Sequence, residues 1–252
     1  MSLEGKTVIV TGAGRGLGKA YSEALAEEGA NVVAADIRDT SNTVTRINEQ
    51  GGKAIGLSLD VAKMDSCQEM ADKAISQFGS IDVLINNAAL YGDISGGRFD
   101  ELSEEQWDDV MTVNIKGIWQ CCKACVPSLR KAGGGSIINI SSLAAKYGMA
   151  YGVDYATSKA AVIGLTRSLA RELGRDLIRV NAVAPSAVLT EGTDEFFSEK
   201  RDKALQMIAA GQSINRNLET GDLTGTIIYL ASDASKFVTG QTIMVDGGTV
   251  ML

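Results

Sequence analysis

The chain has 252 residues, 45% of them apolar, and a formal net charge of −7. This length suits one α/β domain, and no Pro- or Ser-rich linker divides the sequence, whose two prolines are Pro127 and Pro185. An acidic surface repels nucleic-acid phosphates and anionic lipids, so we expect neither nucleic acid nor membrane as a partner.

Short β-branched runs alternate with longer amphipathic segments along the whole chain. The runs begin at Lys6, Asn31, Lys53, Ile81, Gly135, Ile178 and Gln241. Helical spacing fills the intervals between them, as in residues 18–28, 65–78, 104–131 and 156–173. Near-continuous apolar strands between helices are typical of a parallel sheet that is covered on both faces. The sequence predicts a doubly wound, Rossmann-like α/β fold of about seven strands over residues 1–252.

The absence of histidine narrows the possible chemistry. It excludes Ser-His-Asp and Cys-His catalysis and every histidine-ligated metal site. The four cysteines include three in CCKAC, on a segment with helical spacing, whereas zinc ligands are usually paired and carried by turns. We therefore expect buried thiols and no metal. No N-terminal signal and no apolar run of about 18 residues is visible, so the expected location is the cytoplasm.

A glycine-rich stretch, TGAGRGLG from Thr11, lies between the first predicted strand and the first predicted helix. Glycine lets the backbone approach a pyrophosphate closely, and the free N–H groups at a helix start favour its negative charge. The GxGxxG fingerprint of dinucleotide-binding proteins does not match, because its third glycine would fall on Leu17. The observed spacing instead has Gly12, Gly16 and Gly18, and a glycine-rich turn without a ligand is the alternative.

Polar or small residues also follow the next three predicted strands. Asp36 ends the second strand, where a carboxylate can accept hydrogen bonds from both ribose hydroxyls and would repel a 2′-phosphate. Asp60 ends the third strand, and NNAA at positions 86–89 ends the fourth. The carboxyl ends of parallel strands lie on one edge of a sheet, so this arrangement favours a nucleotide site over ordinary turns.

Two arginines compete with Asp36 in setting the coenzyme. Arg15 in the glycine-rich stretch, assisted by Arg38, could bind a 2′-phosphate; alternatively both are solvated, or Arg15 pairs with the pyrophosphate. A fixed carboxylate at the ribose hydroxyls opposes a dianionic phosphate at short range. The sequence therefore favours NAD over NADP.

A tyrosine with a lysine one helical turn later occurs in YATSK, Tyr155 to Lys159, and no other nearby tyrosine has such a lysine. TGxxxGxG, NNAA, Asn114 in VNIKG, Ser142 in ISS and this pair follow one another along the chain. In that order they resemble the short-chain dehydrogenase/reductase family over essentially the whole sequence, and the last stretch of the resemblance is LASDASKFVTGQTIMVDGG. Ser142 lies thirteen residues before Tyr155, which is the separation usual in the family.

The resemblance implies a role for each of these four residues. Lys159 would hold the nicotinamide ribose hydroxyls and, together with the positive nicotinamide ring, lower the pKa of Tyr155. Tyr155 would then exchange a proton with the substrate oxygen while hydride passes to or from the nicotinamide, and Ser142 would orient that oxygen. Asn114 would kink its helix and hold a water that links Lys159 to solvent.

The resemblance also implies the residues that contact each ligand. The expected coenzyme contacts are Gly12, Arg15, Gly16, Leu17, Gly18, Asp36, Ile37, Asp60, Val61, Asn87, Ala88, Ala89, Tyr155, Lys159, Pro185, Ser186, Val188 and Thr190. The expected substrate contacts are Ser142, Tyr151, Tyr155 and Ser186. Ala89 and Ser186 depart from the family pattern, which has glycine at both positions. Ala89 adds a methyl near the cofactor, and Ser186 adds a hydroxyl beside the nicotinamide and the substrate.

Residues 186–213 form a long excursion after a predicted strand, where such folds place substrate lids. The candidate pocket residues are apolar, which suits a hydrophobic or aromatic ketone better than a sugar: Leu90, Tyr91, Tyr151, Phe196, Phe197 and Met207. Core packing is the alternative for these side chains, including the two phenylalanines.

The resemblance implies an NAD-dependent oxidoreductase that transfers hydride between NAD(H) and a secondary alcohol or ketone. NAVAPSAV and FVTGQTIMVDGG are most similar to family members that act on aryl-alkyl alcohols such as 1-phenylethanol. The alternatives are an NADP-dependent biosynthetic ketoreductase and a dinucleotide-binding sensor without turnover. The helices that carry Asn114 and Tyr155 have apolar stretches that one sheet face would not fully cover, and the resemblance makes them an interface of a homotetramer.

Overall fold

The computed structural model describes residues 3–92, 94 and 96–251. Within them, seven parallel strands form one sheet of order β3-β2-β1-β4-β5-β6-β7. The strands are β1 (Thr7–Thr11), β2 (Asn31–Asp36), β3 (Lys53–Ser58), β4 (Val83–Asn86), β5 (Gly135–Ile140), β6 (Ile178–Pro185) and β7 (Thr242–Val245). Every predicted run contains one of these strands, which confirms the doubly wound α/β fold. The strand order reverses between β1 and β4, and such a reversal opens a crevice at the carboxyl edge of the sheet.

Helices connect the strands and cover both faces of the sheet. They are α1 (Gly16–Glu27), α2 (Ser41–Glu49), α3 (Met64–Phe78), α4 (Glu104–Met111), α5 (Gly117–Lys131), α6 (Ala144–Tyr147), α7 (Val153–Leu173), α8 (Glu191–Phe197), α9 (Arg201–Ala210) and α10 (Gly221–Ala231). The predicted helices at 18–28, 65–78 and 156–173 correspond to α1, α3 and α7. The largest difference is at α7, which begins three residues earlier than predicted.

Two apolar layers enclose the sheet, one against each face. Met70 of α3, Cys121 of α5 and Val162 of α7 pack on one face. Tyr21 of α1 and Ile227 of α10 pack on the other. The burial of both faces explains why β1 and β2 are near-continuous apolar runs instead of alternating ones.

The predicted helix at 104–131 consists of α4 and α5 joined by a π-helical turn, Thr112–Lys116. Ser103 caps this helix, since its hydroxyl accepts a hydrogen bond of 3.1 Å from the Gln106 N–H. Single π turns inside α-helices widen the backbone and are frequent at functional sites. Here the turn carries Asn114, which is fully buried.

The four cysteines are buried, as expected, and none forms a disulfide. The Cys67 Sγ lies 3.7 Å from the Cys121 Sγ. Among the described residues, no group of three or more histidine, cysteine, aspartate or glutamate side chains could hold a metal ion. Within the same residues, no helix has the length and apolar character needed to cross a membrane. Residues 186–213 contain α8 and α9, so the predicted helical excursion is present after β6, and its role as a lid remains a prediction.

Candidate active site

A cavity of about 640 Å³ lies beyond the carboxyl ends of the central strands. Its wall runs from the glycine-rich loop and Asp36, across the ends of β3 and β4, to Tyr155 and Lys159. It continues to Phe197 and Met207 of the predicted lid. The chain thus brings residues from both halves of the sheet to a single cleft.

Most of the expected site residues line this cavity. They are Gly12, Arg15, Gly16, Leu17, Asp36, Ile37, Asp60, Val61, Asn87, Ala88, Ala89, Ser142, Tyr155, Lys159, Pro185, Ser186, Val188 and Thr190. Three expected residues are not among the lining residues, namely Gly18, Asn114 and Tyr151. Each of the three has another structural setting.

Gly18 packs the glycine-rich loop onto the start of α1. A Cβ at this position would overlap the Gly12 carbonyl, and it would also lie 2.7 Å from the Asn87 Nδ2. Asn87 itself donates hydrogen bonds to the carbonyls of Thr11 and Gly12, at 3.0 and 3.1 Å. Gly18 therefore permits a close approach between loop, helix and the residue after β4, and its contact with the coenzyme remains a prediction.

The expected adenosine end of the cavity centres on Asp36. Its side chain accepts hydrogen bonds from the Gly14 N–H at 2.8 Å and from the Arg38 N–H at 2.9 Å, and the residue is only 8% exposed. Two backbone donors therefore fix a carboxylate in the cavity wall. Such a carboxylate is suited to accept hydrogen bonds from ribose hydroxyls.

The expected pyrophosphate end is the start of α1. Arg15 precedes the helix without capping it by its side chain, and no acidic residue lies in the first turn. Gly12 and Gly16 have φ angles of +69° and +52°, which place the loop in a conformation that other residues rarely adopt. A free helix N-terminus behind a glycine-rich turn is suited to a pyrophosphate, so the residues present fit a dinucleotide.

Arg15 forms a bidentate ion pair with Glu195 of α8. Both guanidinium Nη atoms donate to the carboxylate, with an Nη2–Oε2 distance of 2.7 Å. The adjacent Arg15 guanidinium lowers the pKa of the Glu195 carboxyl. Arg15 was predicted from the sequence as a coenzyme contact, whereas Glu195 was not predicted as a site residue. Nothing in the sequence links two positions so far apart.

Tyr155, Lys159 and Ser142 meet at the middle of the cavity. The Ser142 hydroxyl lies close enough to the Tyr155 phenol to lower its pKa. The Lys159 Nζ lies 5.7 Å from the centre of the Tyr155 ring and donates a 2.9 Å hydrogen bond to the Ile140 carbonyl. Ser141 donates to the Lys159 carbonyl at 2.8 Å, which ties α7 to the end of β5. The spacing in YATSK thus places phenol and ammonium on one helix face, as predicted.

Burial dominates the electrostatics of this group. It raises the pKa of the Tyr155 phenol more than the nearby Ser142 hydroxyl lowers it. It also lowers the pKa of Lys159 from 10.5 to about 8. The expected depression of the Tyr155 pKa is therefore not a property of these side chains alone, since burial disfavours both charged forms.

Asn114 lies behind the cavity wall and connects three elements. Its Oδ1 accepts from the Leu90 N–H at 2.8 Å, and its Nδ2 donates to the Leu90 carbonyl at 3.2 Å and to the Ser158 Oγ at 3.1 Å. The π turn is thereby joined to the loop after β4 and to α7. The observed contacts fit a positioning role, and the water relay stays a prediction.

The far end of the cavity is apolar and aromatic. Tyr91 lies 5.1 Å from Tyr155 between ring centres and stacks on Phe196 at 4.7 Å. Phe196 is not among the lining residues of the cavity. The other candidate pocket residues of this end do line it, namely Leu90, Tyr91, Phe197 and Met207. Tyr151 is 69% exposed and is not among the lining residues, and its contact with the substrate remains a prediction.

The cavity also has lining residues that were not predicted from the sequence, among them Leu143, Met149, Ile208 and Thr249. Leu143 and Met149 follow the ISS motif closely, so their proximity to Ser142 was a usable signal. Thr249 lies near the end of the chain, and only the turn after β7 brings it to the cleft.

A family model described as enoyl-(acyl carrier protein) reductase matches residues 12–250 of this chain. The chain belongs to the short-chain dehydrogenase/reductase family. As a member of this family it is an oxidoreductase that acts by NAD(P)-dependent hydride transfer on a small-molecule substrate. The resemblance identified from the sequence motifs is thereby confirmed.

Relatives in the family carry several different activities in their names. The 3-oxoacyl-(acyl-carrier-protein) reductase FabG of Staphylococcus epidermidis is 38% identical over 249 residues, 98% of this chain and 99% of the relative. The 2-dehydro-3-deoxy-D-gluconate 5-dehydrogenase of Escherichia coli is 38% identical over 250 residues, 98% of this chain and 96% of the relative.

Solved structures of family members superpose closely. Carveol dehydrogenase from Mycobacterium avium, in complex with NAD, has a TM-score of 0.93 at 28% identity and covers 98% of both chains. A putative NAD(P)-dependent gluconate 5-dehydrogenase from Beutenbergia cavernae, with bound NADP, has a TM-score of 0.91 at 34% identity and covers 98% of both chains.

Proposed function

We propose that this family member is an NAD-dependent dehydrogenase of hydrophobic secondary alcohols that also reduces the corresponding ketones. One observation carries the proposal. The Tyr155 phenol and Ser142 hydroxyl meet between a cavity end that holds the fixed carboxylate of Asp36 and an end walled by apolar and aromatic side chains. A substrate oxygen at this junction would face both hydroxyls, with its hydrocarbon part toward the aromatic end.

Tyr155 acts as the acid and base in this proposal. Its raised pKa keeps the phenol protonated near neutral pH, so in ketone reduction it donates its proton to the substrate oxygen. In alcohol oxidation the phenolate accepts the hydroxyl proton while the carbinol hydride leaves for the coenzyme. Bound NAD supplies the hydride acceptor and a positive ring that favours the phenolate. Ser142 hydrogen-bonds the substrate oxygen and orients it.

The apolar end of the cavity supports a hydrophobic substrate. Tyr91 and Phe197 contribute aromatic surface, and Leu143, Met149 and Met207 add aliphatic and thioether surface. Such walls favour an aryl or cyclic hydrocarbon beside the carbinol over a polyhydroxylated sugar, whose hydroxyls would lose hydrogen bonds there. Segment 186–213 is the proposed lid over this end, because α8 and α9 supply part of its wall.

Asp36 supports NAD as the preferred coenzyme. Its carboxylate is held by two backbone N–H groups and cannot move away from a 2′-phosphate without breaking both hydrogen bonds. The four unpaired cysteines suit a reducing compartment, in line with the cytoplasmic location that we propose.

A panel of secondary alcohols assayed with each coenzyme tests this function. We expect NADH formation with aryl-alkyl alcohols such as 1-phenylethanol, and a kcat/KM for NAD at least about tenfold above that for NADP. A preference for NADP with acyl-thioester ketones would replace the proposal with a biosynthetic ketoreductase. Coenzyme binding without turnover on any alcohol or ketone of the panel would indicate a dinucleotide sensor.

A further inference from the structure

The ion pair between Arg15 and Glu195 joins the coenzyme loop to the proposed lid across 180 positions of the chain. Arg15 lies in the glycine-rich loop and lines the cavity, while Glu195 is carried by α8. The Glu195 carboxylate also lies against the backbone of the loop after β4, where it would overlap a Cβ placed on Gly92. Three segments therefore meet at this carboxylate.

Arg15 lines the same cavity as Asp36 and Arg38, the residues at which the two coenzymes would be distinguished. Arg15 directly follows Gly14, whose N–H is hydrogen-bonded to Asp36. Arg38, two residues beyond Asp36, adds to the positive potential that lowers the pKa of Glu195. Glu195 is thus within the field of both arginines that are suited to bind a 2′-phosphate.

We propose that Glu195 is a coenzyme-specificity residue of this enzyme. It occupies the Arg15 guanidinium, withholds it from a 2′-phosphate and adds a second negative charge to that of Asp36. The inference rests on the proposed function, which takes NAD as the preferred coenzyme.

Glu195 and a 2′-phosphate would compete for the same hydrogen-bond donors of Arg15. A guanidinium binds a carboxylate or a phosphate through the same pair of parallel N–H groups. A 2′-phosphate must therefore displace Glu195 from Arg15, and the displaced carboxylate stays on α8 close to the incoming dianion. NAD carries a hydroxyl in place of the 2′-phosphate. It therefore need not displace Glu195 from Arg15, and it brings no dianion close to the Glu195 carboxylate. An ion pair that only fastened the lid would affect both coenzymes alike.

Direct binding of NADH and NADPH to Glu195→Gln measures this effect without turnover. Coenzyme fluorescence titrations should show the ratio of the NADPH Kd to the NADH Kd falling at least about fivefold relative to wild type. Asp194→Asn is the matched control, since it removes the same charge from the same helix and breaks the lid ion pair with Arg201. In Asp194→Asn the ratio of the NADPH Kd to the NADH Kd should match that of wild type.

Removal of Arg15 completes the test. In the double variant Arg15→Gln/Glu195→Gln, the gain for NADPH should disappear, because the guanidinium that supplies it is gone. An unchanged ratio in Glu195→Gln, or an equal shift in the control Asp194→Asn, overturns the inference. If wild type itself binds NADPH more tightly, the proposed coenzyme is wrong, whereas the shift on Glu195→Gln still decides the role of Glu195.

Discussion

The hydroxyl group of Tyr155 can be removed without removing the aromatic ring that packs in the fold. Tyr155→Phe removes the phenolic oxygen and keeps the ring that contacts Tyr91. We expect alcohol oxidation to fall at least about 10²-fold, the usual scale of general acid–base assistance. NADH affinity and thermal stability should stay close to wild type. Turnover measured beside an NADH titration checks this, and a variant with more than about a tenth of wild-type activity would exclude the phenol as the base.

Lys159 gives a second prediction about a single residue, which concerns the pH dependence of stability. Burial lowers the pKa of Lys159 from 10.5 to about 8. Between these values the unfolded chain binds more protons than the native one, so this lysine makes the free energy of unfolding rise with pH. Lys159→Met removes that rise. We expect the stability of the variant relative to wild type to decrease by about 2 kcal/mol between pH 7 and about pH 9.5.

Denaturant unfolding of both proteins at the two pH values, without coenzyme, provides the measurement. The buried tyrosines have raised pKa values, so they do not titrate in the native protein within this window. A stability difference that does not change with pH would show that the ammonium is as well solvated in the native protein as in the unfolded chain.

The element that depends most on a single residue is the junction of the glycine-rich loop with α1. Gly18→Ala would force its Cβ into the Gly12 carbonyl, so loop and helix would have to separate. We expect a loss of at least about 2 kcal/mol in the free energy of unfolding, together with weaker coenzyme binding. Gly225→Ala is the control, since the added methyl on α10 would have no atom within 4 Å apart from its adjacent residues and the nearby backbone of its own helix.

The two variants should move stability in opposite directions. Alanine lowers the conformational entropy of the unfolded chain, so Gly225→Ala should add about 0.5–1 kcal/mol. Thermal or denaturant unfolding of both proteins distinguishes the cases. Equal stabilisation by the two substitutions would mean that the loop tolerates the methyl and that Gly18 has no packing role.

The whole molecule is expected to be a homotetramer, a prediction that comes from the family resemblance. The structure covers most of GIWQCCKACV with the chain's own core, and the remaining exposed side chains of this stretch are Trp119 and Lys123. Trp119 is 44% exposed, and the outer face of α7 presents the small residues Ala160, Ala161 and Gly164. These surfaces of α5 and α7 are the expected two-fold contacts.

Light scattering at micromolar concentration should give the mass of four 26.5 kDa chains. Trp119→Glu should lower this mass, because a carboxylate would be buried without a partner in the interface. Phe99→Glu, at an exposed aromatic outside α5 and α7, should leave it unchanged. A monomeric wild type would contradict the prediction.

The sequence by itself determined the features that depend on local spacing. Strand and helix positions follow from apolar periodicity, and the phenol and ammonium of YATSK share a helix face because four residues make about one turn. Asp36 was found in the same way, since the end of a β-branched run marks the end of a strand. The polar residues at successive strand ends could be assigned to one edge because parallel strands share their direction.

Only the tertiary structure decided what depends on contacts between distant segments. Glu195 meets Arg15 through the path of the lid, and no local pattern encodes a pair 180 residues apart. Tyr151 lies on the same segment as Tyr155, yet the backbone turns it outward with a φ of 65°. The direction of the Tyr155 pKa likewise follows from burial by neighbouring elements, which periodicity does not specify, because desolvation is a sum over the atoms that surround a group in space.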